Sequence, residues 1–365
     1  MKAALLKIGA RISFKDLSEM SSTLSEVLAT KKLFEDSGFE LDIYSKNPKN
    51  EPGILDLVTH HKEVNNKGYD LLVVVNGSIP FYGGIDGGDD IFNYKIISSF
   101  KGKIVYMLYD PYLGLKDISK NIAKKEAYSM HAQDVVIDRD DVVYITQCRD
   151  TSKINELGQK SVHYFPLEQF PIFMNDIYKR TNREDKHSDL AYCGSFRGGR
   201  RQKSMIEYFF GRENISAALT GNIKIEQFNQ NWIAGKKPPK FFKPLKQALV
   251  SRNMAGALAS VVIADPIYIE HYDIAQRAYE NMIYGVANFI DIKVDPDKLF
   301  YKGNNFLRDY MYVKNGAELE SNILDLKRNP EVLSTIIAQQ DRILGEFNYI
   351  QYVENFKKLL EEVVL

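Results

Sequence analysis

Residues 190–205 read LAYCGSFRGGRRQKSM, and this stretch decides the fold. Leu190-Ala-Tyr-Cys193 has the character of a short buried strand, Gly194-Ser195 that of a turn, and Arg200 onward that of a helix start. That order aims free backbone N–H groups and a helix N-terminus at one point, which is a ready anion site. Arg197 and Arg201 add forked cationic donors suited to phosphate oxygens. A diphosphate fits such a place best. An arginine-rich helix start on a solvated surface is the competing reading, and the stretch alone leaves it open.

Working outward, the same alternation of strand and helix recurs on both sides. Before it, residues 3–8, 41–44, 71–75, 104–108 and 142–145 have the apolar runs of buried strands. Between them, 24–36, 54–61 and 91–100 carry helical apolar spacing. After the charged, turn-rich stretch 179–188, strands are expected at 190–192, 216–219, 260–263 and 287–290. Helices are expected at 200–210, 245–255, 274–284 and 317–327. The tail, 330–365, reads as helical throughout. Alternation of this kind predicts parallel sheets covered on both faces, with functional groups on loops at the carboxyl ends of the strands. The fold class is therefore α/β, two Rossmann-like doubly wound domains facing across a cleft. The tail helix is expected to pack back on the first domain.

Composition narrows the function classes. Lys+Arg and Asp+Glu number 48 each, so no global polyanion-binding signature exists. Locally the balance shifts: residues 197–246 hold eleven Lys/Arg, among them Lys236, Lys237 and Lys240, against Glu207, Glu213 and Glu226. Such a surplus can steer a polyanion, although a solvated loop is the plainer account. Two cysteines, Cys148 and Cys193, are too few for a disulfide scaffold, and Cys193 in its strand reads as core. No spacing of Cys and His suggests zinc, His60-His61 included. No cleavable signal and no long apolar run argues for export or membrane spanning.

Several residues carry chemistry. Asp110 follows the strand KIVYMLY and precedes Pro111. A carboxylate at such a strand-to-loop junction can take a proton from an alcohol, an effect worth about 10²–10⁴-fold, or can cap a turn. Glu26 lies in the first helix, where the Ser-Ser-Thr run at 21–23 offers an N-cap and a first-turn carboxylate would complement the helix dipole. Arg277 and Glu280 fall one turn apart on one helix face. They can take a phosphate and the two hydroxyls of a ribose, or can be a plain intrahelical ion pair. Gly221-Asn222 is either a close backbone approach or a simple turn. Phe81 and Tyr82 sit in a loop after a strand, where aromatics can wedge at bases or cover an apolar edge.

These fragments occur together and in order in one family. The chain resembles the DNA β-glucosyltransferases of T-even bacteriophages, two-domain enzymes of the GT-B architecture. The likeness runs nearly end to end and is strongest in YDLLVVVNGSIPFYGG (69–84), YFPLEQF (164–170), MND (174–176) and GSFRGGRR (194–201). The resemblance implies transfer of glucose from UDP-glucose to the hydroxymethyl group of 5-hydroxymethylcytosine in duplex DNA, with inversion. It implies Asp110 as general base and Glu26 as the acid beside the sugar. Ser195, Arg197 and Arg201 become diphosphate contacts, with Gly221 and Asn222 nearby. Asp265, Tyr268, Arg277 and Glu280 become the donor-binding segment, Glu280 holding the ribose hydroxyls. Phe81, Tyr82, Lys236, Lys237 and Lys240 are the expected DNA contacts.

The corresponding division is 1–178 for acceptor DNA and base, 179–345 for the UDP-sugar, and 346–365 as the returning helix. A monomer in the cytoplasm of an infected bacterium is expected. A divalent cation can assist the diphosphate, but no metal site is legible. The spacing of Tyr268 to Arg277 is one residue longer than the family pattern, 111–120 lacks the arginine expected after the aspartate, and Pro80 replaces a polar residue. Alternatives follow from these departures: another donor such as UDP-arabinose, a small molecule or glycan as acceptor, or a catalytically inactive DNA-binding relative.

Overall fold

The structure is a computed structural model that describes residues 1–11, 22–46, 53–60, 62–76, 96–109, 139–152, 161–178, 180, 187–196, 199, 201–245, 247–263, 268–269 and 273–364. By its contacts the chain forms two units. Met1–Leu167 joins with Asn348–Leu365, and Glu168–Phe347 stands as the second. The division falls before residue 178 because Phe170, Ile177 and Tyr178 are buried within the second unit.

In the first unit, β1 (Lys2–Arg11), β2 (Glu40–Lys46), β3 (Ile54–Asp56), β4 (Leu71–Asn76), β5 (Lys103–Leu108), β6 (Val142–Thr146) and β7 (Val162–Tyr164) form one parallel sheet in the order β3-β2-β1-β4-β5-β6-β7. The order reverses between β1 and β4, where such sheets place ligands beyond the strands' carboxyl ends. Ala4, Leu6, Leu72, Val74, Ile104, Tyr106 and Tyr144 build the core on one face. Helix α1 (Ser22–Asp36) buries Val27, Leu33 and Phe34. The expected helix 54–61 is in fact split: Ile54 pairs with Ile43 as an edge strand before a one-turn helix, Leu57–His60, begins. Three residues with one open side carry too little periodicity to announce a strand.

In the second unit, β8 (Ser188–Ser195), β9 (Ala217–Asn222), β10 (Lys240–Phe242), β11 (Ala257–Val262), β12 (Ala287–Asp291) and β13 (Tyr312–Val313) repeat the pattern in the order β10-β9-β8-β11-β12-β13. All the pairings are parallel. Helices α2 (Phe170–Phe173), α3 (Gln202–Phe209), α4 (Gln247–Ala255), α5 (Arg277–Ile283), α6 (Gly316–Arg328) and α7 (Pro330–Gly345) belong to this unit. A buried polar network ties β12 to α5 and α7. Asn288 accepts from Asn281 at 2.9 Å, its backbone N–H donates to Gln340 at 2.9 Å, and Gln340 donates to the Val286 carbonyl at 2.8 Å.

The tail breaks once. Asn348 caps α8 (Tyr349–Val363) by accepting from the Gln351 N–H at 3.1 Å. This helix packs on the first unit: Phe356 meets Phe34 with ring centroids 5.2 Å apart and Phe165 at 5.0 Å. Tyr352 donates to the Pro166 carbonyl at 3.0 Å.

Candidate active site

The carboxyl edge of the second sheet gathers most of the described candidates. β8 and β9 end side by side, Gly194 in register with Gly221 and Ser195 with Asn222. Gly221 has φ +142°, and a Cβ there would lie 1.8 Å from the Gly194 carbonyl oxygen. A Cβ on Gly194 would in turn lie 2.6 Å from the Tyr192 hydroxyl. Of the two readings of Gly221, the close backbone approach is the one found. The pair of glycines brings two strand ends together where only backbone fits.

Arg201 occupies the position before α3, one residue into the expected helix, and no side-chain bond caps that helix start. Its side chain is nearly buried, and Nη1 donates to the Tyr192 hydroxyl at 2.5 Å. The guanidinium is therefore oriented by the strand that carries Gly194, which a freely solvated arginine would not be. Sequence reasoning does not single out Tyr192 as its partner. The signal for it is its place two residues before the glycine turn, facing the start of the next helix. Arg197 and Asp265 lie outside the described residues, as do Phe81, Tyr82 and Asp110.

Arg277 and Glu280 do form an ion pair within α5, and it is not a surface pair. Glu280 is 1% exposed. Burial pushes its carboxyl above the usual range, while Arg277 and hydrogen bonds from Tyr178 and Gln276 pull it back down. Cys193, at the end of β8, is close enough to feel both charges, and burial raises its thiol. That makes Cys193 core rather than nucleophile. Burying an ion pair is in general a poor route to stability. Tyr268 is buried nearby in sequence, its carbonyl accepting from the Asp273 N–H at 2.9 Å. Tyr178 escapes sequence reasoning because it lies about a hundred residues from its partner.

The lysines expected at DNA stand elsewhere. Lys240 opens β10 opposite Ala218, near the start of β9. The Lys237 carbonyl accepts from the Gly211 N–H at 2.8 Å and its ammonium donates to the Glu213 carbonyl at 3.0 Å. Lys236, Lys237 and Lys240 are exposed at the amino edge of the sheet, opposite the edge that carries Gly221. A parallel strand must begin where its neighbour begins, so the connection from β9 to β10 carries these residues away from the carboxyl edge.

In the first unit, Glu26 is 4% exposed on α1, beyond the first helical turn, so complementing the helix dipole is not its role. On the same helix Thr30 donates to the Glu26 carbonyl at 2.8 Å and shares a 2.8 Å bond with the Tyr109 hydroxyl. Tyr109 ends the strand run that leads into Asp110. Burial raises its phenol, and the charge of Glu26 adds to that. The helix that carries Glu26 is thus tied to the residue that follows β5.

Comparison with known proteins gives this geometry a setting. The family model for bacteriophage T4 beta-glucosyltransferase matches residues 1–175. The DNA beta-glucosyltransferase of Enterobacteria phage T4 is 27% identical over 99% of this chain and 100% of its own. A crystal structure of the T4 phage enzyme with its UDP-glucose substrate aligns with a TM-score of 0.78 at 25% identity, covering 100% of this chain and 99% of that one. The same enzyme with UDP and Mn2+ aligns with a TM-score of 0.79 at 27% identity, covering 98% and 99%. The chain is a glycosyltransferase related to the T4 enzyme. Its two parallel-sheet units are those of the GT-B fold, as the resemblance implied. Among the described residues no cluster of three or more His, Cys, Asp and Glu could hold a metal ion. Nor is any described helix long and apolar enough to cross a membrane.

Proposed function

We propose that this protein moves glucose from UDP-glucose to the hydroxymethyl oxygen of 5-hydroxymethylcytosine in duplex DNA, inverting the anomeric carbon. The observation that carries the donor half is the buried Arg277–Glu280 pair set beside the Gly194–Gly221 strand ends and the oriented Arg201. That is a cationic, backbone-rich edge with the buried carboxylate of Glu280 beside it. It suits a nucleoside diphosphate: Glu280 accepts from the ribose hydroxyls, and Arg197, Arg201, Ser195 and the turn amides near Gly221 and Asn222 take the phosphates. Asp265 and Tyr268 complete the donor segment.

Asp110 removes the proton from the acceptor hydroxyl as its oxygen attacks the anomeric carbon from the face opposite UDP. The C–O bond to the diphosphate breaks, and the negative charge gathering there is met by the arginines and amides. Glu26 stands beside the sugar. A single displacement of this kind needs one base and a stabilised leaving group, with no covalent intermediate. Presenting the base requires flipping it from the stack at a cost of a few kcal/mol, roughly, which phosphate contacts offset. Phe81 and Tyr82 fill the gap left behind. Lys236, Lys237 and Lys240 act at longer range by adding positive potential. The enzyme works as a monomer in the cytoplasm of the infected bacterium.

Mass spectrometry of nucleosides from hydroxymethylated DNA treated with the protein and mixed UDP-sugars tests this. Glucosylated hydroxymethylcytidine is expected, and it should disappear with Asp110→Ala while UDP-glucose binding persists. A pentose adduct would instead favour a different donor, the reading suggested by the missing arginine in 111–120. Full activity of the Asp110 variant would remove that residue from its role.

A further inference from the structure

Tyr192 stands two residues before Gly194 on β8, so the two share one face of the sheet. A glycine at the second place leaves that face open, and the Tyr192 side chain fills it. A Cβ on Gly194 would lie 2.6 Å from the Tyr192 hydroxyl and 2.8 Å from its ring. The phenol therefore leans along the strand toward its carboxyl end, and it is buried there. Its ring meets Phe209, the last residue of α3, edge-on with centroids 6.0 Å apart. Its hydroxyl accepts from Arg201 Nη1 at 2.5 Å, at the residue before that same helix begins. One side chain thus touches the glycine turn, the start of α3 and its end.

Arginine is long and rich in rotamers, and ordering it on a ligand costs side-chain entropy. A guanidinium already held by the fold loses less of that freedom on binding. A donor set fixed in advance also needs no reorganisation as charge gathers on a leaving group. We propose that Tyr192 is the positioning residue of the diphosphate site: its hydroxyl holds the Arg201 guanidinium against the Gly194 turn, so that arginine and turn amides act on one diphosphate. This rests on the assignment of Arg201 to the phosphates under the proposed function. Tyr192 acts only through Arg201. The bare Cα of Gly194 is part of the same device, because a side chain there would displace the phenol from the arginine.

The test is calorimetric binding of UDP to the full chain in four forms: the parent, Tyr192→Phe, Arg201→Ala and the double variant. Tyr192→Phe keeps the ring and its packing and removes only the hydroxyl that Arg201 bonds. UDP affinity should fall by about tenfold, the size of one hydrogen bond to a charged group. In the Arg201→Ala background the same substitution should cost nothing further, since a residue that acts through another has no effect once that other is gone. Competitive inhibition by uridine, which carries no phosphate, should be the same in Tyr192→Phe as in the parent. An equal loss in both backgrounds, or a parallel loss of uridine binding, would overturn the positioning role and leave the phosphate assignment standing. Unchanged UDP affinity in Tyr192→Phe beside weak binding in Arg201→Ala would do the same. If Arg201→Ala binds UDP as the parent does, the phosphate assignment falls and the role of Tyr192 falls with it.

Discussion

The Tyr109 hydroxyl lies 2.8 Å from the Thr30 hydroxyl, which joins the residue preceding Asp110 to the helix that carries Glu26. Both side chains are buried. Tyr109, the residue after β5, and the third turn of α1 are thereby held to one another. Tyr109→Phe removes the bond while Thr30 keeps its 2.8 Å bond to the Glu26 carbonyl. The expected cost is about 1 kcal/mol in denaturant unfolding. Turnover should fall with UDP affinity unaltered, since the donor residues sit in the other unit. Unchanged kcat would show that Asp110 is placed without this anchor.

Gly221 makes a sharper prediction. With φ +142° and a Cβ position 1.8 Å from the Gly194 carbonyl, Gly221→Ala must push two paired strand ends apart. A loss of at least about 3 kcal/mol is expected, together with loss of UDP binding. Gly235 is the control: it has φ +71°, and a methyl group added there would meet nothing within 4 Å. Its alanine variant should lose only the cost of the left-handed backbone, about 1–2 kcal/mol. Thermal unfolding of the two variants side by side reads the difference directly. Equal losses would mean that the strand ends relax freely.

The contrast between these glycines also shows what sequence can and cannot reveal. Buried parallel strands such as β6, β11 and β12 are near-continuous apolar runs, and they are legible for that reason. β3, β7, β10 and β13 are two- or three-residue edges, three of them half-open to solvent, with no run to read. In the site, Arg201, Arg277 and Glu280 are legible because each belongs to one short local pattern. Tyr178 is not, since only the tertiary fold brings it to Glu280. Lys236, Lys237 and Lys240 show what composition leaves open. Their charge is plain in the sequence, but the direction of β10 decides which edge carries it, and charge counting is blind to direction.

Arg201 separates orientation from charge. Arg201→Ala should weaken UDP binding by about ten- to a hundredfold, the range for a hydrogen-bonded charge contact, and lower turnover as well. Arg201→Lys keeps the charge but loses the planar fork that bonds the Tyr192 hydroxyl and a phosphate together. It should recover only a small part of the loss. Unchanged UDP affinity in Arg201→Ala would take this arginine out of the phosphate site.

The returning helix offers a pH-dependent test. Burial would raise the Asp36 carboxyl, but the Tyr349 hydroxyl and the Lys32 ammonium outweigh it and hold the carboxyl below its usual value, with Lys31 adding to the pull. A depressed carboxylate stabilises the folded state above its unfolded pKa of about 3.9, and that stability is lost as pH falls through the folded value. Tyr349→Phe removes the hydrogen bond yet keeps a ring beneath Lys32, whose ammonium sits 4.9 Å from the centroid. The variant should therefore be less stable than the parent at neutral pH and converge with it below about pH 4. Asp36 and Lys32 have side chains 39% and 42% exposed, so solvent screening limits the gap to less than about 1 kcal/mol. Thermal unfolding of both proteins between about pH 3 and 7 measures it. A gap that stays constant across that range would mean that Tyr349 holds the helix by packing, with no contribution from the charge of Asp36.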